Sequence, residues 1–386
     1  MKVLIISFVF PPCATGAATV MYNLCKYLPK RCYNVITARK EFCIRWGIYD
    51  KDYELNCNTI RLPVHTSALP DLLIFFLLTI FKGLSINKKE RIDCILAVHP
   101  YFYDLLGAYI LHKLIKKPFV IYMHDLFSEV KKGALTYRIW IFLERKVFSS
   151  ASRIFVMNEE YREHYFKRGI RNITIFPPSI DFRYNINHGT VSLPSYIPEG
   201  KLKIVYTGSV YGPQESAVLT FLQASKKVGE VHVLFATPSG KGYLKDSLKE
   251  YLKDVNVGFL SKKECTELQK NADVLFLPLS PNFAYPEEVK CAFPCKLLEY
   301  LAVGKSILAV VPEGSFVESF VKKYEVGLTV NELSVEKIVS AINELKDEMK
   351  RNRFSQNALR TAGLFDAKIW TKRLCSLLND IVSNKK

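Results

Sequence analysis

Several signatures that would place a chain quickly are missing from this one of 386 residues. There is no C-x-x-C pair, and Cys291 and Cys295 have no histidine beside them, so a structural zinc site is not expected. A secretory leader is not evident either. The opening "MKVLIISFVFPP" has one lysine followed by β-branched residues and a Pro-Pro stop, which reads as a first buried strand. The ten cysteines are therefore expected as reduced thiols in a cytoplasmic protein. The G-x-G-x-x-G fingerprint is absent, which weighs against a dehydrogenase. No helix-turn-helix, zinc-finger or RNP-like segment is present, so nucleic acid is not an expected partner. The apolar run Leu72–Phe81 falls short of the roughly 20 residues that a spanning helix needs.

Acidic residues are also scarce: 37 Asp+Glu stand against 54 Lys+Arg, a formal charge of +17. Residues 1–185 hold 27 basic and 15 acidic side chains, so most of the excess lies in the first half. Such a field draws anionic lipid headgroups, phosphorylated substrates or other polyanions. The run Leu72–Phe81, followed by Lys82, Lys88, Lys89 and Arg91, reads either as a buried core helix or as a helix lying among headgroups.

With nearly half its residues apolar, the chain is globular and long enough for two domains. Short apolar runs alternate with helix-patterned segments, the habit of parallel α/β sheets. "KVLIISF", "YNVITA", "DCILAVH", "PFVIYMHD", "SRIFVMN" and "ITIFP" read as strands of a first series. A stretch rich in Pro, Gly, Asn and Ser then interrupts the pattern, and a second series follows through "KLKIVYTGS", "VHVLFAT", "NVGFL", "DVLFLPL" and "SILAVV". This predicts a Rossmann-like domain over residues 1–185, a linker over 186–200 and a second Rossmann-like domain over 201–362. A terminal helix over 363–386 is expected to leave the second domain and pack on the first.

Four places carry chemistry. Gly16 stands at a strand-to-helix turn, where the missing Cβ and the helix N-terminus favour an anion. His124 and Asp125 follow the end of a strand, where α/β proteins collect ligands, and Asp125 is placed to orient the imidazole. Gly208 and Ser209 repeat the strand-to-glycine turn in the second series. The fullest signal is "FPCKLLEYLAVGKSILAVVPEGS": Lys296 and Glu299 share one face of a helix that begins after Pro294, and Gly314 and Ser315 close a turn after the next strand. Taken alone, the pair is an ordinary surface ion pair.

Taken in order, these segments resemble the nucleotide-sugar glycosyltransferases of the GT-B fold, specifically the large retaining family (family 4-like) that builds bacterial surface glycans. The matching pieces are "FPP" with Gly16, "HD" at 124–125, "SRIFVMNEEYREHYFKRGI", "IVYTGS", "NVGFLSKKECTELQKNADVLFLPL" and the stretch around Glu299, so nearly the whole chain is covered. The resemblance implies two Rossmann-like domains facing a central cleft, with the C-terminal helix crossing back to the first domain. It implies a nucleotide diphosphate sugar as donor, UDP favoured over GDP, with Gly16, Gly208, Ser209, Lys296, Glu299, Gly314 and Ser315 as binding residues and Glu299 on the ribose. His124, Lys296 and Glu299 would be the catalytic residues of a retaining transfer that needs no metal or other cofactor. The acceptor would be a lipid-linked or other glycan, and the enzyme would sit at the inner face of the cell membrane through its basic first domain.

Two departures from the family pattern stand out. Cys291 occupies the place of the earlier of two acids, with Glu287 and Glu288 nearby as shifted substitutes. The basic pair that follows the donor-domain glycine is missing from "GSVYGPQES". A nucleotide-sugar epimerase of similar architecture and a non-enzymatic basic membrane- or nucleic-acid-binding protein are the competing readings.

Overall fold

The computed structural model describes residues 1–45, 48–99, 102–126, 137–181, 200–238 and 246–384. The chain forms two compact units, Met1–Ser179 with Ala367–Lys386, and Ile180–Asp366. The expected linker over 186–200 lies, apart from Gly200, outside the described residues.

The first unit is built on seven parallel strands: β1 (Val3–Ile6), β2 (Tyr33–Ala38), β3 (Asn58–Leu62), β4 (Cys94–His99), β5 (Phe119–Met123), β6 (Arg153–Val156) and β7 (Ile173–Ile175). Their order is β3-β2-β1-β4-β5-β6-β7, so the direction of winding reverses between β1 and β4. Strands β1, β2, β4 and β5 are buried along their whole length, which is why they read as unbroken apolar runs in place of alternation. β3 escapes that reading. Its sequence "NTIRL" is polar at an edge and carries no apolar run.

Helices α1 (Gly16–Cys25), α2 (Lys40–Arg45), α3 (Leu69–Glu90), α4 (Phe102–Ile115), α5 (Tyr137–Ser150) and α6 (Glu159–Lys167) make the crossovers. Right-handed connections place α1 and α2 on one face of the sheet and α3 to α6, side by side, on the other. Helix α3 is longer than the expected Leu72–Phe81 run, at 22 residues. It packs closely on α4: a Cβ on Gly83 would overlap Leu111, and one on Gly107 would lie 3.2 Å from Thr79 Cγ2.

One expectation about the cysteines is overturned. Cys13 and Cys43 are joined as a disulfide with Cα atoms 5.3 Å apart, where reduced thiols were expected throughout. The partners are 30 residues apart in sequence, and only the packing of the loop after β1 against α2 brings them together.

The second unit holds five parallel strands, β8 (Leu202–Thr207), β9 (Val231–Ala236), β10 (Val274–Pro278), β11 (Ser306–Val310) and β12 (Gly327–Val330), in the order β12-β11-β10-β8-β9. Winding reverses here between β8 and β10. The helices are α7 (Gly212–Ser225), α8 (Asp246–Leu252), α9 (Lys262–Lys270), α10 (Pro286–Cys291), α11 (Cys295–Ala302), α12 (Phe316–Tyr324), α13 (Val335–Glu344) and α14 (Glu348–Ala362). Rings of Phe221 and Phe276 stack at 4.0 Å in the core between sheet and helices.

The expected strand "NVGFL" does not form beyond one bridge between Phe235 and Asn256. The Asn256 side chain takes over the ladder's work: its Oδ1 accepts from the amides of Thr237 (3.1 Å) and Gly258 (3.0 Å), and its Nδ2 donates to the Thr237 carbonyl (3.2 Å).

A last helix, α15 (Ala367–Ser383), belongs to the first unit. There Thr371 Oγ1 donates to the Leu24 carbonyl of α1 at 3.1 Å, and Trp370 meets Phe176 edge-on at 5.2 Å.

Candidate active site

In an open α/β sheet, ligands collect beyond the carboxyl ends of the strands where winding reverses. In the second unit that point is the end of β8, beside β10. Gly208 follows β8 with φ +120, a conformation that side-chain-bearing residues rarely adopt. Its amide is committed to the Ala236 carbonyl at 2.8 Å. What Gly208 offers is the space where a Cβ would be, and Lys296 fills it: a Cβ there would overlap the lysine's Cε and Nζ. The Lys296 ammonium also lies over the Tyr206 ring, 5.6 Å from its centroid. Tyr206 in turn donates from its hydroxyl to the Ser209 carbonyl at 2.6 Å, tethering the turn after the glycine.

Helix α11 delivers Lys296 because its other face is fixed. Leu297, Leu298, Leu301 and Ala302 are buried, and the Tyr300 hydroxyl donates to the Phe276 carbonyl of β10 at 3.1 Å. Gly304, at φ +66, ends the helix, and its amide donates to the Leu301 carbonyl at 3.0 Å. With the leucine face anchored, Lys296 and Glu299 project together from the polar side.

Glu299 is ion-paired with Lys262 of α9, both side chains only 14% exposed. Burial works against its charge. The charge of Lys262 and its hydrogen bond, then Lys296 and Gln269, outweigh that and hold the carboxyl below the usual carboxylate range. Gln269 also donates from Nε2 to Thr207 Oγ1 at 2.7 Å, joining α9 to the end of β8. The register of α9 is set at its start, where the Ser261 amide donates to Glu264 at 2.8 Å and the Glu264 amide donates to Ser261 Oγ at 3.4 Å. Two lysines and one carboxylate thus converge at the winding reversal and leave a net positive charge there.

The remaining candidates are arranged differently. Gly314 (φ +68) donates its amide to Glu318 Oε2 at 2.6 Å, and buried Ser315 caps α12 by accepting from the Glu318 amide at 3.3 Å. A carboxylate therefore occupies the N-terminus of α12, and an anion bound at that turn has to take its place. Cys291 is buried at the end of α10, while Glu287 and Glu288 lie in that helix's first turn.

In the first unit, Gly16 is exposed at the start of α1, with Thr15 as cap accepting from the Ala18 amide at 3.3 Å. His124 follows β5 and is buried, edge-on to the Tyr122 ring at 4.4 Å, with its carbonyl accepting from the Tyr161 hydroxyl at 3.0 Å. Burial, with a smaller contribution from His99, pushes the His124 pKa down to about 3, so the imidazole is neutral at pH 7. Neither of its ring nitrogens has a hydrogen-bond partner among the described residues.

Sequence reasoning missed three groups: Lys262 and Gln269 in the second unit, and the pair His99 and Asp104 in the first. His99, at the end of β4, is fully buried and held neutral by burial, its pKa lowered to about 3. Asp104, at the start of α4, is buried too and accepts from the Phe8 amide at 2.7 Å, pinning the loop after β1. The capping box Ser261-x-x-Glu264 was the one sequence signal that a helix starts at Lys262. Nothing in it says which way that lysine faces.

Two family models match the chain and between them cover most of it: Glycosyltransferase Family 4 over residues 14–184, and Glycosyl transferases group 1 over residues 197–361. The chain is a glycosyltransferase. Solved structures agree on its GT-B fold. Anabaena HepE, crystallised with UDP, superposes with a TM-score of 0.71 at 15% identity over 98% of this chain and 100% of its own. Sucrose-phosphate synthase from Thermosynechococcus elongatus gives 0.73 at 15% identity over 99% of each chain. A UDP-N-acetylglucosamine 2-epimerase described as putative, from Listeria monocytogenes, gives 0.66 at 10% identity over 99% and 97%. No curated protein sequence matches this glycosyltransferase. The three charged groups Lys262, Lys296 and Glu299 all fall within the segment matched to glycosyl transferases group 1.

Proposed function

We propose that this glycosyltransferase moves a sugar from a nucleotide diphosphate sugar to a lipid-linked or other membrane-associated glycan, with retention of anomeric configuration and without a metal, in the assembly of a surface polysaccharide. The observation that carries the donor assignment is the Lys262–Glu299–Lys296 group beside Gly208, at the point where β8 and β10 part. A carboxylate kept ionised at such a place is suited to accept from the two ribose hydroxyls. Lys296 and Lys262 are suited to neutralise the diphosphate, first on binding and again as the sugar–phosphate bond breaks and charge builds on the leaving oxygen. These two lysines replace the basic pair missing after Gly208. The HepE structures with UDP and with UDP-glucose support UDP as the nucleotide.

The first unit is assigned the acceptor. His124 contributes a neutral imidazole, able to donate to or accept from a sugar hydroxyl, and its ring nitrogens have no hydrogen-bond partner among the described residues. The enzyme is placed peripherally at the inner face of the cell membrane.

Thermal-shift measurements against UDP, GDP and ADP test the donor reading. A nucleotide that binds only the folded protein raises the melting point by mass action, and UDP is expected to do so most. A flat response to all three overturns the assignment. Glu299→Gln keeps the fold, since the side chain lies on the polar side of α11. It is expected to weaken UDP binding by about 10- to 100-fold, the usual cost of losing a charged hydrogen-bond acceptor. Unchanged UDP affinity in that variant removes Glu299 from the ribose. Conversion of the nucleotide sugar to its epimer without any acceptor assigns epimerase chemistry in place of transfer.

A further inference from the structure

Helix α3 is apolar over most of its 22 residues, yet little of that surface is buried. Its buried row is Phe75, Thr79, Gly83 and Ile86, packed toward α4. The row on the opposite side is Leu69, Leu73, Leu77, Phe81 and Leu84, all exposed, with Phe81 at 65%. Spacings of three and four make these five one continuous stripe. Soluble helices of this composition bury such a stripe in a core. This one presents it outward.

Two features indicate what the stripe meets. Lys88 extends the row toward the C-terminal end, with Lys82 and Lys89 alongside, all three exposed. Two helices farther along the same face of the sheet, α5 repeats the pattern: Ile139 (59% exposed) and Phe142 (64%) stand among exposed Arg138, Arg145 and Lys146. Between them α4 exposes Lys113 and Leu114. Among the described residues of α3 to α5 the acids are fewer and mostly engaged. Asp104 and Glu144 are buried, Asp71 accepts from Thr66, and Glu90 is paired with Lys2.

We propose that the outer face of α3, continued across α4 and α5, is a docking surface for an anionic lipid bilayer. It deepens the reading of a membrane-associated acceptor and rests on it. The helix is long enough to cross a bilayer, but its buried row is locked to α4, so it lies in the interfacial plane with Leu73, Leu77 and Phe81 among the acyl chains and the lysines at the phosphates. Charge selects the leaflet and the apolar row supplies the hold.

Flotation of the full-length protein with vesicles tests this, using phosphatidylglycerol and phosphatidylcholine in equal parts or phosphatidylcholine alone. Wild type is expected to float with the anionic vesicles and to bind the neutral ones about tenfold less. The double variant Leu77→Glu/Phe81→Glu is expected to lose at least about tenfold in binding to anionic vesicles. Lys82→Glu/Lys88→Glu/Lys89→Glu leaves the apolar stripe intact and is expected to remove the preference for anionic lipid. Absence of wild-type flotation overturns the proposal, as does equal flotation of the Leu77/Phe81 variant. A dimer in sedimentation that both variants dissociate, without flotation, assigns the face to a second copy and overturns it too. The UDP thermal shift of every variant is expected to match wild type. Flotation without a UDP response removes the donor reading alone, and a UDP response without flotation removes this one alone.

Discussion

The two units share a plan, a parallel sheet whose winding reverses beside its first strand, but they fill the carboxyl end of that sheet in opposite ways. Among the described residues, the first unit brings His99, Asp104 and His124 there, all buried, with both imidazoles neutral at pH 7. The second unit brings Lys262, Lys296 and Glu299 there, two cations against one carboxylate. The difference follows from what surrounds each group. Strands β4 and β5 are enclosed on both faces, so a histidine at their ends loses its hydration and stays neutral. The polar side of α11 keeps partial access to water and has cations within reach, so a carboxylate stays ionised. One unit is suited to neutral hydroxyl chemistry and the other to a polyanion.

Acid is expected to break this contrast with the largest effect. His99 and His124 titrate near 3 when folded and near the ordinary 6.5 when unfolded. Between those values the unfolded chain binds protons that the folded one does not, so stability present at neutral pH is lost as pH falls from about 6.5 toward 3. At pH 5 each histidine is expected to cost about 2 kcal/mol. Asp104, whose carboxyl is raised well above its usual value by burial, acts in the opposite sense: it takes up its proton while folded and offsets part of the loss. Residues 180–366 of the second unit contain no tryptophan, so tryptophan fluorescence during urea unfolding reports the first unit selectively. His124→Gln should flatten the pH dependence, and Asp104→Asn should steepen it. A first unit as stable at pH 5 as at pH 7 contradicts the neutral-core account.

The next largest effect also divides the units. Cys13→Ser/Cys43→Ser opens a loop of 30 residues and is expected to destabilise the first unit by roughly 3 kcal/mol by chain entropy. The same tryptophan signal should register it, and reductant should reproduce it in the wild type. The UDP-dependent shift should be untouched.

The smallest effect sharpens the second unit's side. Lys296→Met is expected to weaken UDP by about tenfold, close to 1.4 kcal/mol, while changing uridine binding little, since only the diphosphate calls on the ammonium. Gly208→Ala should act in the same direction, because its Cβ would displace that ammonium. Calorimetric titration of UDP and uridine separates the two. Equal losses for both ligands would move Lys296 away from the phosphates.

Much of this was legible in the sequence, for local reasons. The strand series could be read because buried parallel strands are continuous apolar runs, and Lys296 with Glu299 because three-residue spacing after Pro294 puts them on one helix face. What escaped was decided at long range. Lys262 meets Glu299 across 37 positions, through a helix register that no local pattern reports. His99 lies inside an apolar run, where a histidine gives no sign of whether it is buried neutral or exposed. The disulfide needs a fold to bring its halves together. β3 has no local signature because an edge strand can be polar, and "NVGFL" has the look of a strand although the Asn256 side chain replaces its ladder. The stripe on α3 reads two ways in the sequence, since composition alone does not say which side of a helix is covered.

Lys296 invites a last consequence. Its cation rides on a helix clamped by leucines and a tyrosine, not on the turn after β8, so its place is settled before a donor arrives. Such preorganisation lowers the ordering cost of binding. It also leaves the segment Val210–Gln214, downstream of Gly208, without a basic residue of its own. Exchanging that segment, which runs into the first turn of α7, for its counterparts from other glycosyltransferases is therefore expected to leave the Lys296 ammonium where it is.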